Sequence, residues 1–170
     1  LRLRAPSRAA FAADPHSVAS LGRASLSASL TLRDVQTEAQ SCFHTSASAV
    51  IAAAWGTVLY MYLRHECECV VFDGVRGQDT VSIPVGPTMC DMHNPSSLVE
   101  HIKCAWSGAS ANITGPTLFF DALHDPEPDA FAHVEAVLRA YPEVTLACIA
   151  YVNVDGIITC LLYTSPSPRD

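Results

Sequence analysis

The chain contains very few positive charges and no cluster of them. Lys103 is the only lysine, and the 170 residues carry ten basic against seventeen acidic side chains, a net charge of −7. Proteins that bind nucleic acids neutralise phosphates with Lys and Arg, so this balance predicts no nucleic-acid partner. Charged residues amount to 16% and apolar residues to 49% of the chain, which is enough apolar material for the core of one domain and excludes wholesale disorder.

The short motifs of several enzyme classes are also missing. The chain has no Gly-x-Ser-x-Gly, no His-Glu-x-x-His, no P-loop and no Rossmann glycine motif. No apolar stretch follows Arg2, Arg4 and Arg8, so the start does not match a secretory signal. The seven cysteines are odd in number and follow no repeated spacing, which predicts reduced thiols in the cytoplasm rather than a disulfide framework.

Both ends of the chain differ from its middle. Residues 1–23 mix Ala, Ser, Arg and Pro without periodicity and predict an irregular segment, and the start at Leu1 favours a missing N-terminal portion. Residues 160–170 resemble the in-frame translation of a widely used sequencing adapter. We therefore expect the natural domain to occupy 24–159.

Alternation and capping residues predict a strand followed by a helix at the start of this domain. Apolar and serine side chains alternate over 24–30, which is typical of a half-buried strand. Thr31 and Asp34 then occupy the positions of a capping box, and apolar residues follow at helical spacing over 32–43.

The next predicted helix carries no charged side chain. Thr45 or Ser46 can cap it, and 47–63 is apolar nearly all round. Such a helix is either buried in a core or spans a membrane. Its length is at the short limit for a span and it contains several small and polar residues, so the buried helix is favoured and no membrane partner is predicted.

The rest of the chain mixes strands and helices without strict alternation. Asp155-Gly156 predicts a hairpin turn. The mixture predicts a layered α/β domain with a mixed sheet packed by helices. The other predicted elements are strands at 69–72, 117–123 and 144–154, helices near 98–106 and at 130–140, and loops at 73–82, 83–87 and 107–116.

Scattered His, Cys and acidic residues leave weaker chemical interpretations open. A Cys or Ser nucleophile with a His base is one, but no spacing pairs the two. An acidic run at 125, 127 and 129 lacks the glycine and final Glu of a calcium loop, so a solvated turn is the simpler interpretation. A zinc site is another, but its cysteines stand closer than the usual spacing, so no metal is predicted; its candidate ligands are His65, Cys67, Cys69, Cys90 and His93.

Several segments, taken in order, resemble the C-terminal lobe of the condensation domains of nonribosomal peptide synthetases. These domains belong to the two-lobed acyltransferases that are similar to chloramphenicol acetyltransferase. The resemblance covers 24–159 and is strongest over 45–89. The segments that carry it are the Ala-Ala-Trp helix ending at Trp55, Glu68-Cys-Val-Val-Phe72, Val75-Arg-Gly-Gln-Asp79, Val85-Gly-Pro-Thr-Met89 and Leu118-Phe-Phe-Asp121.

The resemblance implies amide-bond formation between a carrier-bound thioester donor and a carrier-bound aminoacyl acceptor. Both substrates would ride on the phosphopantetheine arms of carrier domains, with no cofactor bound directly by this chain. A His-His-x-x-x-Asp-Gly motif in the N-terminal lobe would supply the catalytic histidine. No His-His pair occurs in this chain, so we expect no catalytic residue in it, a missing N-terminal lobe as its partner, and no activity alone.

The chain departs from the family pattern where the family borders its substrate tunnel. By this resemblance the substrate-binding candidates are Gly77, Gln78, Gly86 and Cys90. Gln78 stands where the family has the Arg of Ser-Gly-Arg, unless Arg76 substitutes for it, and Cys90 stands where the family has Asn. Gly86 also has a purely structural interpretation, a close backbone approach.

These departures keep two alternatives open. One is a non-catalytic binding or scaffold domain of the same fold, and the other is a different acyltransferase of the superfamily. A lobe separated from its partner should expose apolar surface, so we expect the isolated chain to aggregate.

Overall fold

Six strands form one mixed sheet, and three helices lie against one of its faces. The computed structural model describes residues 22–64, 68–89, 95–108, 112–113, 115–124, 132, 135–136 and 138–164, with the side chains of 22–29 left out. The elements in chain order are β1 (Gly22–Thr31), α1 (Leu32–Phe43), α2 (Ala47–Leu63), β2 (Val70–Arg76), β3 (Asp79–Val85), α3 (Pro95–Trp106), β4 (Thr117–Ala122), β5 (Leu146–Val152) and β6 (Ile157–Thr164).

The strand order is β1-β6-β5-β4-β2-β3. Strands β2, β4 and β5 run parallel to one another, whereas the β1–β6, β5–β6 and β2–β3 pairs are antiparallel. The predicted class, a mixed sheet packed by helices, is confirmed. The carboxyl ends of the three parallel strands meet at one edge of the sheet, which is also the edge where β2 turns into β3.

Local capping signals set the first two helices where the sequence predicts them. The Thr31 hydroxyl oxygen accepts a hydrogen bond from the Asp34 backbone N–H at 3.1 Å and the hydroxyl donates to the Asp34 carboxylate at 2.7 Å. Ser46 caps α2 by accepting from the Ala49 N–H at 3.4 Å. The Gln36 side chain satisfies a further N–H of α2, that of Ala47, at 2.9 Å.

The helix α2 is buried on one side only. Its small residues allow a close approach to the sheet, since a Cβ on Gly56 would lie 3.1 Å from the Phe72 ring. The opposite side exposes Val58, Met61 and Tyr62. Within the described residues no single helix is long and apolar enough to cross a membrane, and α1 with α2 reaches that length only as a pair bent by 85°.

Both faces of the sheet bury apolar side chains. On the face with α1, α2 and α3 the rings of Phe72 and Phe119 are fully buried. On the other face Leu118, Phe120 and Ile149 form a second core. Residues 132, 135–136 and 138–140 are helical, in agreement with the predicted helix at 130–140, whose other positions lie outside the described residues.

The predicted loops at 73–82 and 83–87 are wrong, because these residues form most of a β-hairpin. Strands β2 and β3 pair without interruption from Val70↔Val85 to Arg76↔Asp79. Pro84 is tolerated because β3 is an edge strand, where a missing backbone N–H can face solvent. The predicted turn at Asp155-Gly156 is confirmed, with φ of 77° at Gly156.

The first residue of α3 differs from the prediction, whereas the expected domain limits of 24–159 stay a prediction. The helix α3 begins at Pro95, three residues earlier than expected, because proline suits the first turn of a helix, where its missing N–H is not needed. Strand β6 continues to Thr164 and pairs with β1 and β5, so it includes five residues of the segment that resembles an adapter translation.

Candidate functional site

The predicted substrate-binding residues lie at two ends of one strand. Gly77 and Gln78 form the turn between β2 and β3, whereas Gly86 directly follows β3 at the opposite edge of the sheet. Eight residues of extended chain separate Gln78 from Gly86, about 26 Å at 3.3 Å per residue. Cys90 lies outside the described residues. The structure therefore brings Gly77 and Gln78 together but not Gly86, and substrate contact by these residues stays a prediction.

The two glycines have different local roles. Gly77 adopts φ of 60° as the first central residue of a two-residue turn, the position that type II′ turns reserve for glycine. Gly86 has an ordinary φ, and no atom lies within 4 Å of the position of a Cβ there. The interpretation of Gly86 as a close backbone approach is therefore wrong, although its carbonyl does accept the Met89 N–H at 3.0 Å across a turn with Pro87.

The hairpin end of the sheet carries an arginine held on a tryptophan. The Arg76 guanidinium carbon lies 5.4 Å from the centre of the Trp106 ring, a cation–π geometry. The Trp106 ring packs on Phe119, with ring centres 6.1 Å apart and planes tilted by 58°. Gly74 lies beside this indole, since a Cβ there would be in van der Waals contact with it at 3.4 Å. No local pattern predicts this pairing, because Trp106 is 30 residues from Arg76.

A buried carboxylate lies at the same edge. Asp121, next to the end of β4, is 3% exposed. Its Oδ1 accepts the Leu123 N–H at 3.3 Å, while its Oδ2 has no hydrogen-bond partner. The predicted strand at 117–123 contained this residue without a role for it. The only sequence signal for Asp121 is the position of an acidic residue within an apolar run.

A second buried carboxylate, that of Asp73, accepts hydrogen bonds within the protein. Asp73, 1% exposed in β2, accepts hydrogen bonds from the Ser82 hydroxyl and from the Gly115 N–H, the latter at 2.6 Å. Thr117 adds a bond from its hydroxyl to the Val71 carbonyl at 2.8 Å. These contacts fix the approach to β4 against β2 and β3, so we assign Asp73 a structural role.

The described residues offer little support for a metal site or for a nucleophile with a histidine base. No group of three or more His, Cys, Asp and Glu side chains that could hold a metal ion occurs in that part of the chain. Of the zinc candidates, Cys69 is exposed, and His65, Cys67, Cys90 and His93 lie outside the described residues, as does the acidic run at 125, 127 and 129. His101 has a buried Nε2 without a partner, and His124 is exposed.

The buried thiol on β5 is poorly suited to act as a nucleophile. A hydrogen bond with Cys160 and burial both raise the pKa of Cys148, which keeps it protonated. The same hydrogen bond lowers the pKa of Cys160 on the neighbouring strand.

Comparison with known proteins identifies the fold of this chain but not its family. No protein-family model matches the chain, and no curated protein matches it. Among solved structures it is similar to the first condensation domain of the CDA synthetase, with a TM-score of 0.55 and 10% identity. The match covers 88% of this chain and 41% of that one, so this chain spans about two fifths of that protein's length. The condensation-domain-like fold is therefore shown.

Proposed function

We propose that this chain is the second lobe of a condensation-type acyltransferase that joins a carrier-bound thioester donor to a carrier-bound aminoacyl acceptor. The observation that carries the proposal is the fold match over 88% of the chain. The ordered motif resemblance over 45–89 supports the same family independently, because it depends on residue types and the fold match depends on the path of the backbone.

The reaction explains why one lobe would be insufficient. The acceptor amine attacks the thioester carbonyl, a C–N bond forms, the C–S bond breaks, and the thiol leaves on the donor's pantetheine arm. The amine must also lose a proton to a group within hydrogen-bond reach. The chain has no His-His pair, so by the family resemblance the histidine for this task would come from elsewhere. The lobe would contribute a tunnel wall, and the missing N-terminal lobe would contribute the histidine.

The proposal includes partners and a compartment. Peptidyl and aminoacyl carrier domains would deliver the substrates on phosphopantetheine arms, so no cofactor would be held by this chain itself. A multidomain synthetase with free thiols would work in the cytoplasm, in keeping with the unpaired cysteines of the described residues.

The test joins this chain to the coding sequence that precedes it in the transcript. The protein is incubated with a donor carrier bearing an acyl thioester and an acceptor carrier bearing an aminoacyl thioester, and the acceptor is analysed by intact-protein mass spectrometry. We expect an acceptor mass increased by the acyl group, and no increase with this chain alone. A complete protein that folds, has no His-His-x-x-x-Asp-Gly lobe and transfers no acyl group would favour the scaffold alternative.

A further inference from the structure

Two side chains with unmet interactions lie next to each other at the carboxyl ends of β2 and β4. The last recorded pair between these parallel strands is Val75↔Phe120, and the next residue on each strand is Arg76 and Asp121. Paired parallel strands lie about 4.8 Å apart, so the two backbones are neighbours at this level.

Both side chains belong to the same face of the sheet. Successive side chains on a strand alternate between faces, so Asp121 shares the face of Phe119, which packs in the core with the helices. Arg76 is on that face too, because its guanidinium lies on Trp106 of α3, and that ring contacts Phe119.

Each of the two groups lacks a partner of opposite charge. Asp121 is 3% exposed and its Oδ2 has no hydrogen-bond partner, an arrangement that is costly for a carboxylate. The half-buried Arg76 has five N–H donors, yet neither ion pair recorded among the described residues involves it. Asp79 is the other acid near Arg76, as its cross-strand partner, but it is exposed, and exposed pairs contribute little.

We propose that Arg76 has two docking positions, the Trp106 ring on which it lies in this structure and the carboxylate of Asp121. In the second position its guanidinium donates to the unpartnered Oδ2, and one face of the Trp106 indole becomes uncovered. The arginine side chain is long enough to reach either site from a neighbouring strand. The switch would alternately hide and present an aromatic surface beside the Gly77–Gln78 turn, and it does not depend on the proposed function.

The test follows Trp106 directly. The chain has two tryptophans, so labelling with 5-fluorotryptophan gives two ¹⁹F resonances, which the W106F variant assigns. Asp121→Asn removes the charge and keeps an oxygen that can accept the Leu123 N–H. We expect it to hold Arg76 on the indole, to displace the Trp106 resonance and to lower its acrylamide quenching constant about twofold or more, with the Trp55 resonance unmoved.

Variants of Arg76 distinguish a movement of this arginine from a direct electrostatic effect of the Asp121 charge on the Trp106 resonance. In an Arg76→Met background, which keeps an aliphatic stem on the ring, Asp121→Asn should leave the Trp106 resonance and quenching unchanged. Asp79→Asn is the matched control and should have no effect in either background. Equal displacement of Trp106 by Asp121→Asn with and without Arg76, or no displacement at all, would overturn the proposal. Asp121→Ser repeats the test if the Asn variant fails to fold.

Discussion

The buried hydrogen bonds of the Asp73 carboxylate lead to a prediction about the stability of this fold. It is 1% exposed and accepts hydrogen bonds from the Ser82 hydroxyl and the Gly115 N–H. Hydrogen bonds to a charged group contribute about 1.5–3 kcal/mol each, and removing the carboxylate leaves both donors unsatisfied. Relief of the buried charge offsets part of this loss. We expect Asp73→Ala to lower the free energy of unfolding by about 3–4 kcal/mol, a large share of the roughly 5–15 kcal/mol of a typical domain.

The isosteric variant separates hydrogen bonding from charge. Asp73→Asn retains an oxygen for the Gly115 N–H and gains an N–H that can donate to Ser82, so it should cost only about 1 kcal/mol. Urea unfolding measures both variants, and amide hydrogen exchange at Gly115 reports the local contact. The Gly115 amide should stay protected in the Asn variant and exchange faster in the Ala variant. Equal destabilisation by both variants, with Gly115 protected in each, would contradict this account.

Three further predictions concern single positions. Thr31→Ala should cost about 1 kcal/mol by urea unfolding through loss of the α1 cap, whereas Thr37→Ala, within that helix, should cost clearly less; equal costs would reject the cap. Gly156→Ala should cost about 1–2 kcal/mol because of its positive φ, and Gly86→Ala should change the unfolding free energy by under about 0.5 kcal/mol. Tyr62 is 77% exposed, so the Tyr62→Ser variant of the chain should aggregate less, with an unchanged urea midpoint. Unchanged light scattering would exclude this exposed side of α2 as a cause of aggregation.

Local signals explain the parts of the fold that the sequence predicted well. The bounds of α1 and α2 depend on caps at Thr31 and Ser46, whose partners lie three residues away. The turn before β6 depends on the positive φ of Gly156 and on Asn153, whose side-chain oxygen accepts the N–H groups of Asp155 and Ile157. Each of these features is decided by a few neighbouring residues, so a pattern in the sequence is sufficient to find it.

Features that depend on distant contacts could not be predicted in this way. An Asp at position 73, followed by Gly74, is typical of a loop, yet it lies inside β2, where Ser82 and Gly115, the latter 42 residues later, donate to it. Pro84 indicates a loop unless the strand is known to be at an edge. The candidate site was affected in the same way, since the motif resemblance could not reveal that Gln78 and Gly86 lie at opposite ends of β3.

The two ends of β3 are not equivalent places for a substrate. Ligands of open α/β sheets bind outside the carboxyl ends of the parallel strands, and here that edge holds the Gly77–Gln78 turn. It also holds Arg76 and the unpartnered oxygen of Asp121, whereas the turn after Gly86 closes on itself through the Met89 N–H. For the acyltransferase proposed above, we therefore expect Gln78→Ala to raise the KM for the acceptor carrier and Gly86→Ala to leave it unchanged. The opposite order would place the substrate at the other edge of the sheet.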